Sequence, residues 1–288
     1  MTIPSVTSFF DNVTNTVSYV VADPSTEACA VVDSLLDFDA ASGRTCTESV
    51  DSVIAFIIRE KLTVEWIIDT HVHADHLSAA NYVKEQLGGR TAIGEHITQV
   101  QSVFGKIFNE DHAFHTDGSQ FDHLFKDGES YSVGSVKAIA IHTPGHTPAC
   151  MAHVIGDAAF VGDTLFMPDF GTARCDFPGG DASQLFHSIQ RLYDLPDTTR
   201  VFVGHDYKAS GRDCFAWEST IGEQKRDNIQ VHGNITENEF VKMRTERDSA
   251  LKMPSLIIPS VQVNIRGGNM PDPEGNGKRY LKIPINAL

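Results

Sequence analysis

The stretch DTHVHADHLSAAN, Asp69–Asn81, sets three histidines and two aspartates among short apolar residues. Imidazoles and carboxylates at that density are poor material for a core, because each buried polar group needs a partner. The run before it, VEWIID (64–69), is the compact apolar signature of a strand covered on both faces. The run after it, LSAANYVKEQL (77–87), is apolar at helical spacing, which predicts a helix from Asp75 or His76 to the stop at Gly88-Gly89. His71 and His73, two apart, point to one side of an extended backbone. Asp75 and His76 approach the same space as the chain turns into the helix.

The pattern recurs farther along. His142 and His146 follow the run VKAIAI, Asp163 follows AAFVG, and His205 follows RVFVG. Four buried strands thus each deliver an acid or imidazole just past their C-terminal ends. If those ends share one edge, the side chains converge in a cleft where rigid strands hold a site. Neutral imidazole and carboxylate suit zinc, iron or manganese. A lone histidine is usually a hydrogen-bonded structural residue or simply exposed, so His96, His112, His115, His123, His153, His187 and His232 receive no role. Asp75 alone would read as a helix cap and Asp163 alone as a turn residue; their company points to a metal.

The other elements complete an α/β chain. TVSYVVAD (16–23) and EACAVVDS (27–34) form a hairpin, and Thr47 caps a helix through VIAFIIREKL. RTAIG is a strand and HITQVQSVFGKIF (96–108) a helix, while the polar run from Asn109 to Val133 reads as a surface excursion. A helix capped by Asp181 follows, then helices over AWESTIGEQKRDNIQV and TENEFVKMRTERDSAL, then a Pro- and Gly-rich tail. No repeat or linker divides residues 1–288, so a single domain is expected, with C-terminal helices and tail from about 215. Strands and helices in this order suggest two packed sheets with helices outside.

Composition narrows the partners. Thirty-eight acids against 23 bases give a net charge of −15, which disfavours nucleic acid and anionic membranes. No stretch approaches the roughly 18 to 20 consecutive apolar residues of a membrane helix. The N-terminus lacks a basic segment leading into an apolar one. Five scattered cysteines, never spaced C-x-x-C, argue against a disulfide scaffold. The expectation is a cytoplasmic protein acting on small molecules.

THVHADH, HTPGH, GDT and GHD resemble, in order and spacing, the metal motifs of the metallo-β-lactamase superfamily. The resemblance covers roughly residues 15 to 210 and implies a four-layer αββα sandwich with the metal site at one edge of the two sheets. The persulfide dioxygenase branch is the most similar, in a bacterial variety, through THVHADHLSA, HTPGHTPAC, VGDTLF, GTARCDF and GHDY. ESTIGEQKRDN, ENEFVKMR and PSVQVNIRGG extend the likeness to about residue 268. That branch implies one iron(II) per chain, held by His71, His146 and Asp163. It also implies that Arg174 and Tyr207 line the thiol pocket. Arg266 is a third candidate for binding the substrate, and Asp176 is expected to pair with Arg174. His73, Asp75, His76 and His205 would surround the ligands. Thr172 stands where the mitochondrial relatives carry cysteine, and Cys175 nearby reads as a packed thiol.

Two reactions fit these residues. The first oxidises glutathione persulfide with O2 and water to sulfite and glutathione. The second, resembling glyoxalase II, hydrolyses a thioester at two zinc ions: His71, His73 and His146 on one, Asp75, His76 and His205 on the other, Asp163 bridging. A homodimer is compatible with either.

Overall fold

The computed structural model describes residues 3–110 and 113–287; Asp111 and His112, inside the expected surface excursion, lie outside the described residues. The first half contains β1 (Ser5–Asp11), β2 (Thr16–Ala22), β3 (Ala28–Val32), β4 (Leu35–Asp39), β5 (Arg44–Cys46), α1 (Glu48–Arg59), β6 (Thr63–Ile68), β7 (Leu77–Ser78), α2 (Ala80–Leu87), β8 (Arg90–Gly94), α3 (Ile97–Ile107) and β9 (His123–Phe125). The second contains β10 (Ser130–Val133), β11 (Val136–His142), β12 (Met151–Ile155), β13 (Ala158–Phe160), α4 (Ala182–Tyr193), β14 (Arg200–Phe202), β15 (Glu218–Thr220), α5 (Ile221–Asp227), α6 (Glu237–Asp248) and α7 (Ile257–Asn264). They form two six-stranded sheets, β1-β2-β3-β6-β8-β9 and β10-β11-β12-β13-β14-β15, with β5-β4-β7 as a small third sheet.

Period-two side-chain alternation makes the layers. Val17, Tyr19 and Val21 of β2 face inward and meet Ala138, Ala140, Phe160 and Phe202 of the second sheet. Val20 and Ala22 face outward, where Val50, Val53 and Ile57 of α1 and Val83 of α2 cover them. On the far side, Leu185, Ile189 and Leu192 of α4 and Phe240 of α6 pack over Ala159, Val161 and Val201. This is the αββα sandwich expected from the sequence. No described helix is long and apolar enough to cross a membrane.

Strand direction brings the site together. β11 and β13 are each antiparallel to β12, and β14 is parallel to β13, so β11, β13 and β14 all end at the same edge. At that edge Gly162 has φ 50°, and a Cβ there would lie 2.5 Å from Thr70 Oγ1. Only glycine lets the β13 end close against the loop after β6.

Several expectations need correction. The helix after the histidine cluster starts at Ala80 rather than at Asp75 or His76, because Leu77-Ser78 pair with β4 first. Thr47 occupies the cap position of α1 without a side-chain cap bond; Asp37 of β4 accepts from Ser49 N instead. The polar run 109–133 is no mere excursion, since β9 and β10 lie in it, one edging each sheet. Such short edge strands carry no apolar run to betray them. Within AWESTIGEQKRDNIQV only Ile221–Asp227 is helical, and Glu218–Thr220 is a strand paired with β14. The tail hides α7, whose interior Pro259 obscures its helical reading. Asp181 caps α4 as expected, accepting from Gln184 N at 2.8 Å.

Candidate metal centre and substrate cleft

Burial comes first. His71, His73, His76 and His205 are each 1% exposed or less, and His146 and Asp163 barely more. One donor atom from each of His71, His146 and Asp163 lies within 4.8 Å of the others, and the same holds for His73, Asp75, His76 and His205.

Hydrogen bonds fix the tautomers at the first group. The Thr70 hydroxyl donates to Asp33 Oδ2 at 2.9 Å, so its oxygen must accept from His71 Nδ1–H at 3.0 Å. His146 Nδ1–H donates to the Arg174 carbonyl at 2.7 Å. In the neutral rings both Nε2 atoms are then the bare lone pairs, 3.9 and 3.7 Å from Asp163 Oδ2, and His71 Nε2 is buried with no hydrogen-bond partner. Two lone pairs and a carboxylate oxygen converging without a proton between them suit a cation. Burial and the neighbouring His73 hold the His71 ring well below the usual imidazole pKa, which keeps it a neutral ligand.

The second group is organised around His205. Its Nδ1 donates to Asp163 Oδ1 at 2.6 Å. Its Nε2 lies 2.5 Å from Asp75 Oδ2 and 3.1 Å from Thr16 Oγ1. The Asp75 contact is off the axis of a hydrogen bond, so it counts as a charge contact. Burial opposes protonation of His205, yet Asp163 and Asp75 together raise its pKa well above normal. The same pairing holds Asp163 and Asp75 well below the carboxylate range despite burial. His76 Nδ1 is 3.2 Å from Thr16 Oγ1, while His76 Nε2 and His73 Nδ1 have no partner.

Asp33 went unremarked in the sequence, although it follows the buried run ACAVV just as the other site residues follow theirs. It sits in the left-handed region (φ 52°). It accepts from Thr70 N, Thr70 Oγ1 and His73 Nε2. Burial works against its ionisation, but the His73 ring and these bonds hold it at about 2. Asp69, by contrast, is pushed up to about 7 by burial beside the Asp33 charge, against the pull of His73 and Ser78. Asp33, Asp69 and His73 also cluster, but Thr70 and Ser78 already occupy those carboxylates.

A cleft of about 550 Å3 opens onto His146, Asp163 and Asp75. Phe166, Phe170, Phe177 and Tyr207 supply its aromatic walls, and Thr172 and Arg174 also line it. The Arg174–Asp176 pair is present as a two-point fork at 2.5 and 2.6 Å. Arg174 Nη1 also donates to the Lys252 carbonyl. Tyr207 stacks on His205 at 5.7 Å between ring centres. Arg266 is not among the cleft residues: its guanidinium contacts Glu110 and the Phe114 ring beside α3. It lies at the C-terminal end of α7, which carries it away from the cleft. Arg247 and Lys252 line the cleft instead, and no motif flagged them. The Cys175 thiol is buried and its pKa raised by burial, so it is a packed thiol.

Comparison with known proteins agrees with this geometry. The family model of the metallo-beta-lactamase superfamily matches residues 11–205, and the chain belongs to that superfamily. It is 52% identical over 294 residues to a probable metallo-hydrolase of Burkholderia pseudomallei, covering 99% of this chain and 100% of that protein. It is 49% identical over 271 residues to glyoxylase B2 of Dictyostelium discoideum, covering 93% and 92%. It is 28% identical over 263 residues to the human mitochondrial persulfide dioxygenase ETHE1, covering 90% and 87%. Among solved structures, ETHE1 from Myxococcus xanthus superposes with TM-score 0.72 at 29% identity, covering 92% of this chain and 100% of that one.

Proposed function

We propose that the protein is a persulfide dioxygenase that converts glutathione persulfide, O2 and water to glutathione and sulfite at one iron(II). The observation that carries this reading is the paired bare Nε2 atoms of His71 and His146 facing Asp163 Oδ2. Two imidazoles and one carboxylate are the ligand set that leaves open positions on non-haem iron. His205 engages the other Asp163 oxygen, which disfavours a bridging carboxylate. The likeness to the two ETHE1 proteins supports the same choice.

Iron held by His71, His146 and Asp163 would supply the redox chemistry. In the net reaction the outer sulfur loses four electrons to O2, both oxygen atoms end on it, and water releases it from the thiol as sulfite. The chain's own groups bind and orient. Arg174, Arg247 and Lys252 offer positive charge to the carboxylates of the carrier within an otherwise acidic protein. Tyr207 lines the cleft with its ring stacked on His205, and the phenylalanine walls limit water. The scattered free cysteines fit a cytoplasmic location.

A two-metal thioester hydrolase is the second reading. The unpartnered His73 Nδ1 and His76 Nε2 favour it, as does the likeness to glyoxylase B2. Oxygen-electrode assays separate the two. The first reading expects persulfide-dependent O2 uptake matched by sulfite. No uptake, with hydrolysis of S-lactoylglutathione, would replace it with the second. Arg174→Ala is expected to raise KM and leave metal content intact, because His146 leans on the Arg174 backbone rather than its side chain.

A further inference from the structure

The motif PSVQVNIRGG (259–268) lies outside the matched family domain, and neither reading of the reaction uses it. It folds as the end of α7 and the turn after it, against the loop that carries His73, Asp75 and His76. Asn264, 2% exposed, makes three bonds there. Its Nδ2 donates to the carbonyls of His73 and His76, both at 2.8 Å, and its Oδ1 accepts from Ser78 N at 2.7 Å. One amide thus satisfies three backbone groups within residues 73–78, of which 73–76 have no helix or strand ladder of their own.

The turn is built to stay in place. Gly268 has φ 82°, and a Cβ there would come 2.9 Å from Ser78 O. Gly267 has φ 63°, and a Cβ there would come 3.0 Å from Gln120 O. Gln101 of α3 donates to the Ile265 carbonyl at 2.9 Å, anchoring the turn from the other side. Val261 and Ile265 pack with Val72, inside the ligand segment itself.

We infer that Asn264 is a positioning residue for the metal centre: α7 and its Gly-Gly turn act as a strap that fixes the His73–His76 backbone, and so the strength with which the centre holds a metal. The inference is independent of the reaction, since it concerns the loop and not the substrate. Without the strap the loop samples several backbone conformations, and metal binding must then order it.

The test is metal affinity in the full chain, with Fe(II) under anaerobic conditions and Zn(II) separately. Asn264→Asp keeps the acceptor for Ser78 N and loses both donated bonds. It is expected to weaken each metal by about 10- to 100-fold, the range typical for groups that orient ligands. Gln262→Ala is the matched control, because Gln262 is as buried, lies on the same helix, and its side chain bonds to Ile258 and Lys282, away from the His73–His76 loop. Equal metal loss in both variants would mean that α7 acts through general stability, and would overturn the inference. If Asn264→Asp does not fold, amide exchange in the unaltered protein decides. Metal loading should slow exchange at residues 257–268 as well as around the ligands; protection confined to the ligand segments would overturn the strap.

Discussion

The two ends of the metal centre use the same residue types in opposite ways. At the His71 end, Thr70 and the Arg174 carbonyl take the Nδ1 protons, so both Nε2 atoms face the site bare. At the His205 end, the ring donates inward, and its positive character is matched by Asp163 and Asp75. One end is prepared for a cation; the other sets its ring between two carboxylates. The lesson is that a ligand's hydrogen-bond partner, rather than its presence in a motif, decides what it does.

The sharpest way to break this comparison is Asp163→Ala. It removes the oxygen on which His71 and His146 converge and also the partner of His205. Metal affinity measured by chelator competition is expected to fall by more than about 100-fold, beyond the range for orienting groups. His205→Gln should have a smaller effect, about 10- to 100-fold, with the stoichiometry unchanged. A fall from two metals to one on that substitution would make His205 a ligand and erase the difference between the ends.

Smaller effects test the walls. Asp206, 2% exposed, receives a fork from Arg212, which also reaches Asp169. Arg212 therefore ties the Tyr207 loop to the segment bearing Phe166 and Phe170. Arg212→Ala should raise KM several-fold in steady-state assays while metal content holds. A change in metal content and an unchanged KM would remove Arg212 from the cleft.

The least effect on the centre is expected from His153, buried between the sheets with Nδ1 against the Tyr131 hydroxyl. Burial pushes its pKa down to about 4, with Asp33 partly opposing. Between that value and the ordinary 6.5 the unfolded chain binds the extra proton, so stability falls as pH drops through this window. The contribution is on the order of 3 kcal/mol. His153→Gln should flatten the pH dependence of chemical denaturation from 6.5 to 4 and leave the metal in place. An unchanged profile would mean that the ring titrates freely.

The ligands were legible because each follows a buried strand, a position that both periodicity and motif spacing reveal. Asp33 obeyed the same rule and was missed only because it lies in no motif. Asn264 offered no such signal: its importance comes from a contact across 186 to 191 residues, which no local pattern encodes. The α7 helix was hidden by prolines, and β9 and β10 by their brevity at the sheet edges. Arg266 misled for the converse reason: position near a motif says nothing about which way a helix end turns. The tautomers, which divide the centre into two unlike ends, exist only once Thr70 and Arg174 are in place.

The most direct test of the one-metal account is the metal count of protein reconstituted with excess Fe(II) without oxygen, then freed of loose metal and analysed by elemental methods alongside O2 uptake. The account predicts close to one iron per chain, with uptake that scales with that iron and requires persulfide. Two tightly held metals per chain, with uptake absent at any iron content, would contradict it.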